Sequence, residues 1–259
     1  MTPALEMTRM TKLYSGGRGV RNVSLSLMPG DVCGLLGPNG SGKTTIMKVA
    51  AGLIHADDGE VRIFGADILR NYEAAYEKVG CLIEAPALYG HLSALKNLRL
   101  AALTRMPRAE VDDECMRVLR LVHLERYSTD RTSRFSLGMR QRLGVALAML
   151  SGPELLMLDE PANGLDIEGM VEIREIIREL AEKYRRAVLV SSHLASELEK
   201  TCTRVVVLHD GEILADVSME EALSGGASLE DFYLEHVRRH SSAHTPLIPG
   251  QDGRGEGAQ

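Results

Sequence analysis

Residues 31–45 read DVCGLLGPNGSGKTT, and this stretch decides the fold. "DVCGLLG" (31–37) is a short apolar run stopped by glycine, which fits a strand buried on both faces. "TTIMKVAAGL" follows with a helical pattern. The turn between them satisfies GxxxxGK[ST] over Gly37-Pro38-Asn39-Gly40-Ser41-Gly42-Lys43-Thr44-Thr45. Its three glycines let the backbone curl until the N–H groups converge on phosphate oxygens. Lys43 brings a positive charge to a β/γ-phosphate pair, and the Thr44 hydroxyl can ligate Mg²⁺. A strand, this loop and a helix in that order predict a nucleotide-phosphate site.

The neighbouring segments supply the rest of an α/β core. "ELLMLDE" (154–160) and "AVLVSSH" (187–193) share the buried-strand character of residues 31–37. "VRNVSLSL" (20–27) alternates, placing Val23, Leu25 and Leu27 on one face of a half-buried strand. Between the two buried strands, Met170, Ile173, Ile177, Leu180 and Tyr184 form one helical stripe. "VVVLHDGEILA" (205–215) predicts a hairpin turning at Asp210-Gly211. Residues 92–150 carry helical patterns and little strand signal, with Val111, Cys115, Val118, Leu119 and Val122 on one face. The expectation is a domain over residues 1–238 with a helical insert at about 85–150. Residues 239–259, rich in Gly, Pro and Ser toward the end, are expected to be a disordered tail.

Composition narrows the function. A chain of 259 residues that is 44% hydrophobic can bury a substantial core, and its net charge of −6 argues against a nucleic-acid surface. No run reaches the ~18 apolar residues of a membrane span. "MTPALEMTRM" lacks an apolar signal region. Cys33, Cys81, Cys115 and Cys202 are scattered without CxxC spacing and read as reduced core thiols of a cytosolic protein. Neither an HExxH nor an HxxxH pair is read among the eight histidines, so a metal site built on them has little support.

Three further segments complete a nucleotide-hydrolysing site. "LLMLDEP" (155–161) ends a strand with two acids. Asp159 is placed to hold Mg²⁺ beside the loop, and Glu160 to polarise the attacking water. His193 ends another buried strand, where an imidazole can hydrogen-bond a γ-phosphate oxygen. "FSLGMRQRLG" (135–144) starts a helix capped by Ser136, yet Gly138 in its first turn weakens that helix by ~1 kcal/mol relative to Ala. Free N–H groups and the helix dipole make such a start an anion seat.

The ordered set GPNGSGKTT, SLGMRQ, LLMLDEP, ANGLD (162–166) and SSH closely resembles the nucleotide-binding subunit of ABC transporters over about residues 4–235. The resemblance implies an α/β, RecA-like P-loop NTPase core with a β-rich N-terminal subdomain and an inserted helical signature subdomain. It implies ATP and Mg²⁺ as cofactors, with Tyr14 stacking on adenine and Asp166 as the D-loop acid. Two subunits would close head to tail, as a homodimer or with a paralogue, so that Ser136 and Gly138 of one cap the γ-phosphate held by the other. An integral membrane permease would be the partner, at the cytoplasmic face of the membrane.

Two departures narrow the resemblance. Leu137 stands where the family usually has Gly, and Glu84 in "CLIEAPALYG" (81–90) where it usually has Gln contacting Mg²⁺ or the water. Both features, with "SLEDFYLEHV" near the end, resemble the bacitracin-resistance and lantibiotic-immunity exporters. The expected activity is ATP hydrolysis driving export of a peptide antibiotic or similar amphiphile. A soluble single-domain ABC ATPase in an assembly or regulatory role is the alternative.

Overall fold

The computed structural model describes residues 2–244. The chain opens with β1 (Leu5–Leu13) and β2 (Gly19–Leu27), an antiparallel pair, before β3 (Val32–Leu36) leads into α1 (Lys43–Ala50). Next come β4 (Asp58–Ile63), the two-residue β5 (Ala66–Asp67), α2 (Tyr72–Tyr76) and β6 (Val79–Leu82). Between β6 and β7 (Leu155–Asp159) stand α3 (Ala94–Ala102), α4 (Val111–Leu121) and α5 (Leu137–Ala148). The chain then runs through α6 (Ile167–Glu182), β8 (Ala187–Ser192), α7 (Ala195–Thr201), β9 (Arg204–His209) and β10 (Glu212–Ser218). It closes with the short α8 (Met219–Ala222) and α9 (Leu229–His244).

Two sheets result. One is ordered β2-β1-β4-β5, and the other β10-β9-β3-β8-β7-β6. In the larger sheet β9, β3, β8, β7 and β6 run parallel, and only β10 is antiparallel, folded back on β9 by the Asp210–Gly211 turn. Asp210 and Gly211 both take left-handed φ, at 47° and 82°, which a two-residue hairpin turn requires. The loop after β3 therefore emerges at the carboxyl ends of the parallel strands, where open α/β sheets place ligands.

The parallel strands read as continuous apolar runs because each face of the sheet has its own core. Cys33 and Leu35 of β3, Leu155 and Met157 of β7, and Leu189 of β8 pack with α1 and the smaller sheet. Their alternates Val32, Leu36, Leu156, Leu158, Val188 and Val190 pack with α6 and the three helices between β6 and β7. Fully burying one such side chain stabilises by ~1.5–3 kcal/mol, so a polar residue on either face of these strands needs a partner.

Some sequence expectations meet corrections. The stripe on α6 ends at Leu180. The helix stops at Glu182, Arg185 turns left-handed at φ 52°, and Tyr184 is left exposed. Three cysteines are buried, but Cys81 is exposed because β6 is an edge strand with one uncovered face. All four thiols are free, and burial pushes that of Cys33 up to about 12. Beyond residue 238, α9 continues unbroken to His244, with the hydroxyls of Ser241 and Ser242 donating to Val237 O and Arg238 O. The rest of the expected tail, residues 245–259, lies outside the described residues.

Candidate functional site

Gly42 is the residue before α1, and its φ of 109° is a conformation that side-chain-bearing residues rarely adopt. That turn aims the first N–H groups of α1 out of the loop, while Pro38, Asn39 and Gly40 are exposed at its tip. Lys43 folds back beneath it. Its ammonium donates to Gly37 O at 2.7 Å and Pro38 O at 3.2 Å, and lies 3.3 Å from Glu160 Oε1. With only 4% of its side chain exposed, Lys43 is a buried cation held beneath the loop, where its charge would draw in an anion.

Asp159 and Glu160 leave the end of β7 in different directions. Asp159 is buried. One of its oxygens accepts from Thr44 Oγ1 at 2.8 Å and the other from Ser191 Oγ at 2.5 Å. Glu160 takes φ 46°, an uncommon conformation for such a residue, and its N–H donates to the same Ser191 oxygen at 2.9 Å. The turn points the Glu160 carboxylate back over the loop, between Lys43 and His193 Nδ1, which lies 3.1 Å from Oε2. Ser191 is a functional residue that the sequence reading missed. It is 0% exposed and ties both acids together. The signal was present in "AVLVSSH": a hydroxyl within a run buried on both faces needs a partner.

Thr44 and Asp159 offer a hydroxyl and a carboxylate, the hard oxygen donors that suit Mg²⁺. Among the described residues no group of three or more His, Cys, Asp or Glu side chains could hold a metal alone. The donor set therefore fits an ion completed by substrate phosphates and water. Glu84 is not drawn into this group. It sits at φ 64° just after β6, and its carboxylate accepts from Lys48 Nζ at 2.6 Å, one turn of α1 beyond Thr44. That hydrogen bond holds the Lys48 ammonium above its ordinary pKa.

One histidine spacing corrects the sequence reading. His236 and His240 stand four apart on α9, a separation that can chelate a metal on one helix face. His236 Nδ1 is instead 2.9 Å from Phe232 O, with its ring against the Phe232 ring.

Tyr14 follows β1, its N–H bonded to Arg18 O at 2.7 Å. The ring is 44% exposed and borders one cavity with Arg18, Asn39, Gly40 and Thr45. A flat face open beside a phosphate loop can stack on a base.

Ser136, Gly138 and Asp166 lie elsewhere. They line a separate cavity with Leu137 and Gly164, which shares no residue with the one beside Tyr14. The Ser136 hydroxyl accepts from Met139 N–H at 3.2 Å, leaving its own O–H for an outside oxygen. Asp166 likewise caps α6 through Gly169 N–H at 2.9 Å. Two glycines of α5 differ instructively. A Cβ on Gly144 would stand 2.8 Å from Pro86 Cβ, so internal packing demands glycine there. A Cβ on Gly138 would meet nothing nearer than 3.9 Å. Nothing among the described residues explains Gly138.

The fold and the cluster around Lys43 and Glu160 define a P-loop nucleotide hydrolase. The family description "ABC transporter" matches residues 20–163. An uncharacterised ABC transporter ATP-binding protein of Bacillus subtilis is 41% identical over 218 residues, covering 84% of this chain and 70% of that protein. The bacitracin transport ATP-binding protein BcrA of Bacillus licheniformis is 35% identical, covering 90% of this chain and 76% of its own length. The lantibiotic transport ATP-binding protein SrtF of Streptococcus pyogenes is 34% identical, with 90% and 97% covered. Among solved structures, an ATP-binding subunit of an ABC transporter superposes with a TM-score of 0.80 at 29% identity, covering 90% of this chain and 99% of that one. The dimeric structure of the bacterial ABC transporter cassette MJ0796 gives 0.74 at 25% identity, with 83% and 98% covered. The chain belongs to the ABC transporter ATP-binding family and is an ATPase.

Proposed function

We propose that this chain is the ATP-hydrolysing subunit that drives a separate membrane permease, and that two such subunits close head to tail over ATP. Gly138 carries the reading. It costs the helix stability, the chain's own packing does not require it, and it lies with Ser136 in a cavity apart from the phosphate loop. A γ-phosphate held by a second subunit accounts for it. In closure, the Ser136 O–H and the start of α5 would donate to that phosphate, and Asp166 would reach the partner's site. The partner is a second copy of this chain or a paralogue.

Hydrolysis then follows from the groups around Glu160. Its carboxylate takes the proton of a water whose oxygen forms the new bond to the γ-phosphorus as the bond to the ADP oxygen breaks. Lys43 leaves the Gly37 and Pro38 carbonyls for the β/γ-phosphate oxygens. His193 holds the Glu160 carboxylate and orients toward the γ-phosphate. Thr44 and Asp159 would hold Mg²⁺, which supplies charge neutralisation to the phosphates. Glu84 lies near enough to α1 to report on that site, and the loop after it, "APALYGHL", is the surface read as touching the permease.

No helix among the described residues is long and apolar enough to cross a membrane; the family membership supports a separate permease chain, with this subunit peripheral at the cytoplasmic face. The relatives named for bacitracin and lantibiotic transport support a peptide antibiotic as exported cargo. The test is Glu160→Gln. It should keep ATP binding, nearly abolish turnover and trap an ATP-bound dimer on size-exclusion chromatography. Turnover at the wild-type rate would refute the role of Glu160. Co-purification with a permease in detergent, and peptide resistance in cells expressing both, test the transport reading.

A further inference from the structure

We propose that α9 sets the position of the phosphate loop, with Tyr233 as the positioning residue acting through His209 and the β9–β10 turn. The proposal rests on the loop being the nucleotide seat. The hairpin meets that loop on either side of His209, at Leu208 and at Gly211. Leu208 O would stand 2.3 Å from a Cβ on Gly37, and Gly211 N–H donates to Ser41 O at 3.1 Å. Gly211 O in turn accepts from Arg21 N–H at 2.9 Å, so the turn is clamped between β2 and the loop. His209 points the other way. Its Nδ1 is 3.1 Å from the Tyr233 hydroxyl, with the two rings edge to face at 6.3 Å.

The root of α9 is fixed independently. Leu229 is fully buried, and its N–H donates to Glu199 of α7 at 3.2 Å. Helix α7 begins two residues after His193. Tyr233 and Leu234 face Gly37, Pro38, His193 and Leu194 across a cavity of about 320 Å³. One side chain thus borders both the start of the phosphate loop and His193, and its hydroxyl is bonded to the strand that braces the loop. Removing that hydroxyl frees the hairpin to shift and the loop with it. Nucleotide affinity should suffer while the chemistry at Glu160, held by Ser191 on the far side, should not.

The test uses the full chain and equilibrium binding of a fluorescent ATP analogue. Tyr233→Phe should raise Kd about threefold to tenfold, the scale of one hydrogen bond, with kcat at saturating ATP within about twofold. The thermal midpoint should stay near the wild-type value, which a merely structural role would not allow. His209→Leu should reproduce the rise, and the double variant should be no weaker than either single one, since both break the same link. A Tyr233→Phe chain with wild-type Kd, or losses that multiply in the double variant, would overturn the proposal. Failure of the wild-type chain to bind the analogue would overturn the nucleotide reading, and this proposal with it.

Discussion

The phosphate-loop end of the molecule and the start of α5 are built on opposite principles. Around the loop the charged groups are partnered within the chain, Lys43 with Glu160, Thr44 and Ser191 with Asp159, and Glu160 with His193, while the buried Ser41 hydroxyl has no partner among the described residues. At the start of α5 the Ser136 hydroxyl keeps its proton for something outside, and Gly138 leaves space that none of the described residues fills. The first region is a preorganised charge network, and substrate must displace some of its contacts. The second is a surface shaped for a group it does not contain. In the proposed function a site divided this way is finished by association, with ATP as the link between subunits.

The largest expected effect breaks the comparison on the loop side. Lys43→Ala removes the buried cation facing the β/γ-phosphates, and affinity for a fluorescent ATP analogue should fall by roughly a hundredfold or more, the scale of a truncated buried charge pair. Unchanged binding would contradict the role of Lys43. Ser191→Ala comes next. It leaves Asp159 Oδ1 and the Glu160 N–H without their shared partner, so denaturant unfolding should show a loss of about 1–3 kcal/mol. Turnover should fall with it.

Gly138→Ala sharpens the other side, because stability and activity should move apart. The helix gains up to ~1 kcal/mol, while a methyl group facing the partner's phosphate lowers ATPase activity. An alanine variant that is stabilised and fully active would show that nothing approaches Gly138. The smallest effect belongs to Glu84. Its exposed pair with Lys48 is worth ~0–1 kcal/mol, so Glu84→Ala should leave folding and ATP binding of the isolated chain nearly unchanged. Permease-stimulated hydrolysis and resistance in cells should fall, and full retention of both would make Glu84 an ordinary surface acid.

The difference between the two regions also explains what could be read from sequence. Glycine spacing, the Lys43-Thr44 pair and the apolar runs 31–37, 154–160 and 187–193 are local, so the core and the phosphate site were legible. Ser191 was missed because its importance lies in two long-range partners, Asp159 and the Glu160 N–H. The exposure of Cys81 depends on β6 being an edge strand, which strand order alone decides. The engagement of Glu84 by Lys48 joins residues 36 positions apart, and no periodicity announces it. Gly138 was visible as an anomaly, but only the structure shows that the chain's own packing leaves it unexplained.

The most direct test of the divided site places Gly138→Asp in the Glu160→Gln background. A carboxylate at the start of α5 would oppose the partner's γ-phosphate without touching the phosphate loop of its own chain. The account predicts that this double variant binds the ATP analogue as tightly as Glu160→Gln alone, yet elutes as a monomer with ATP on size-exclusion chromatography. A double variant that still forms the ATP-dependent dimer, or that loses ATP binding in step with dimerisation, would contradict it.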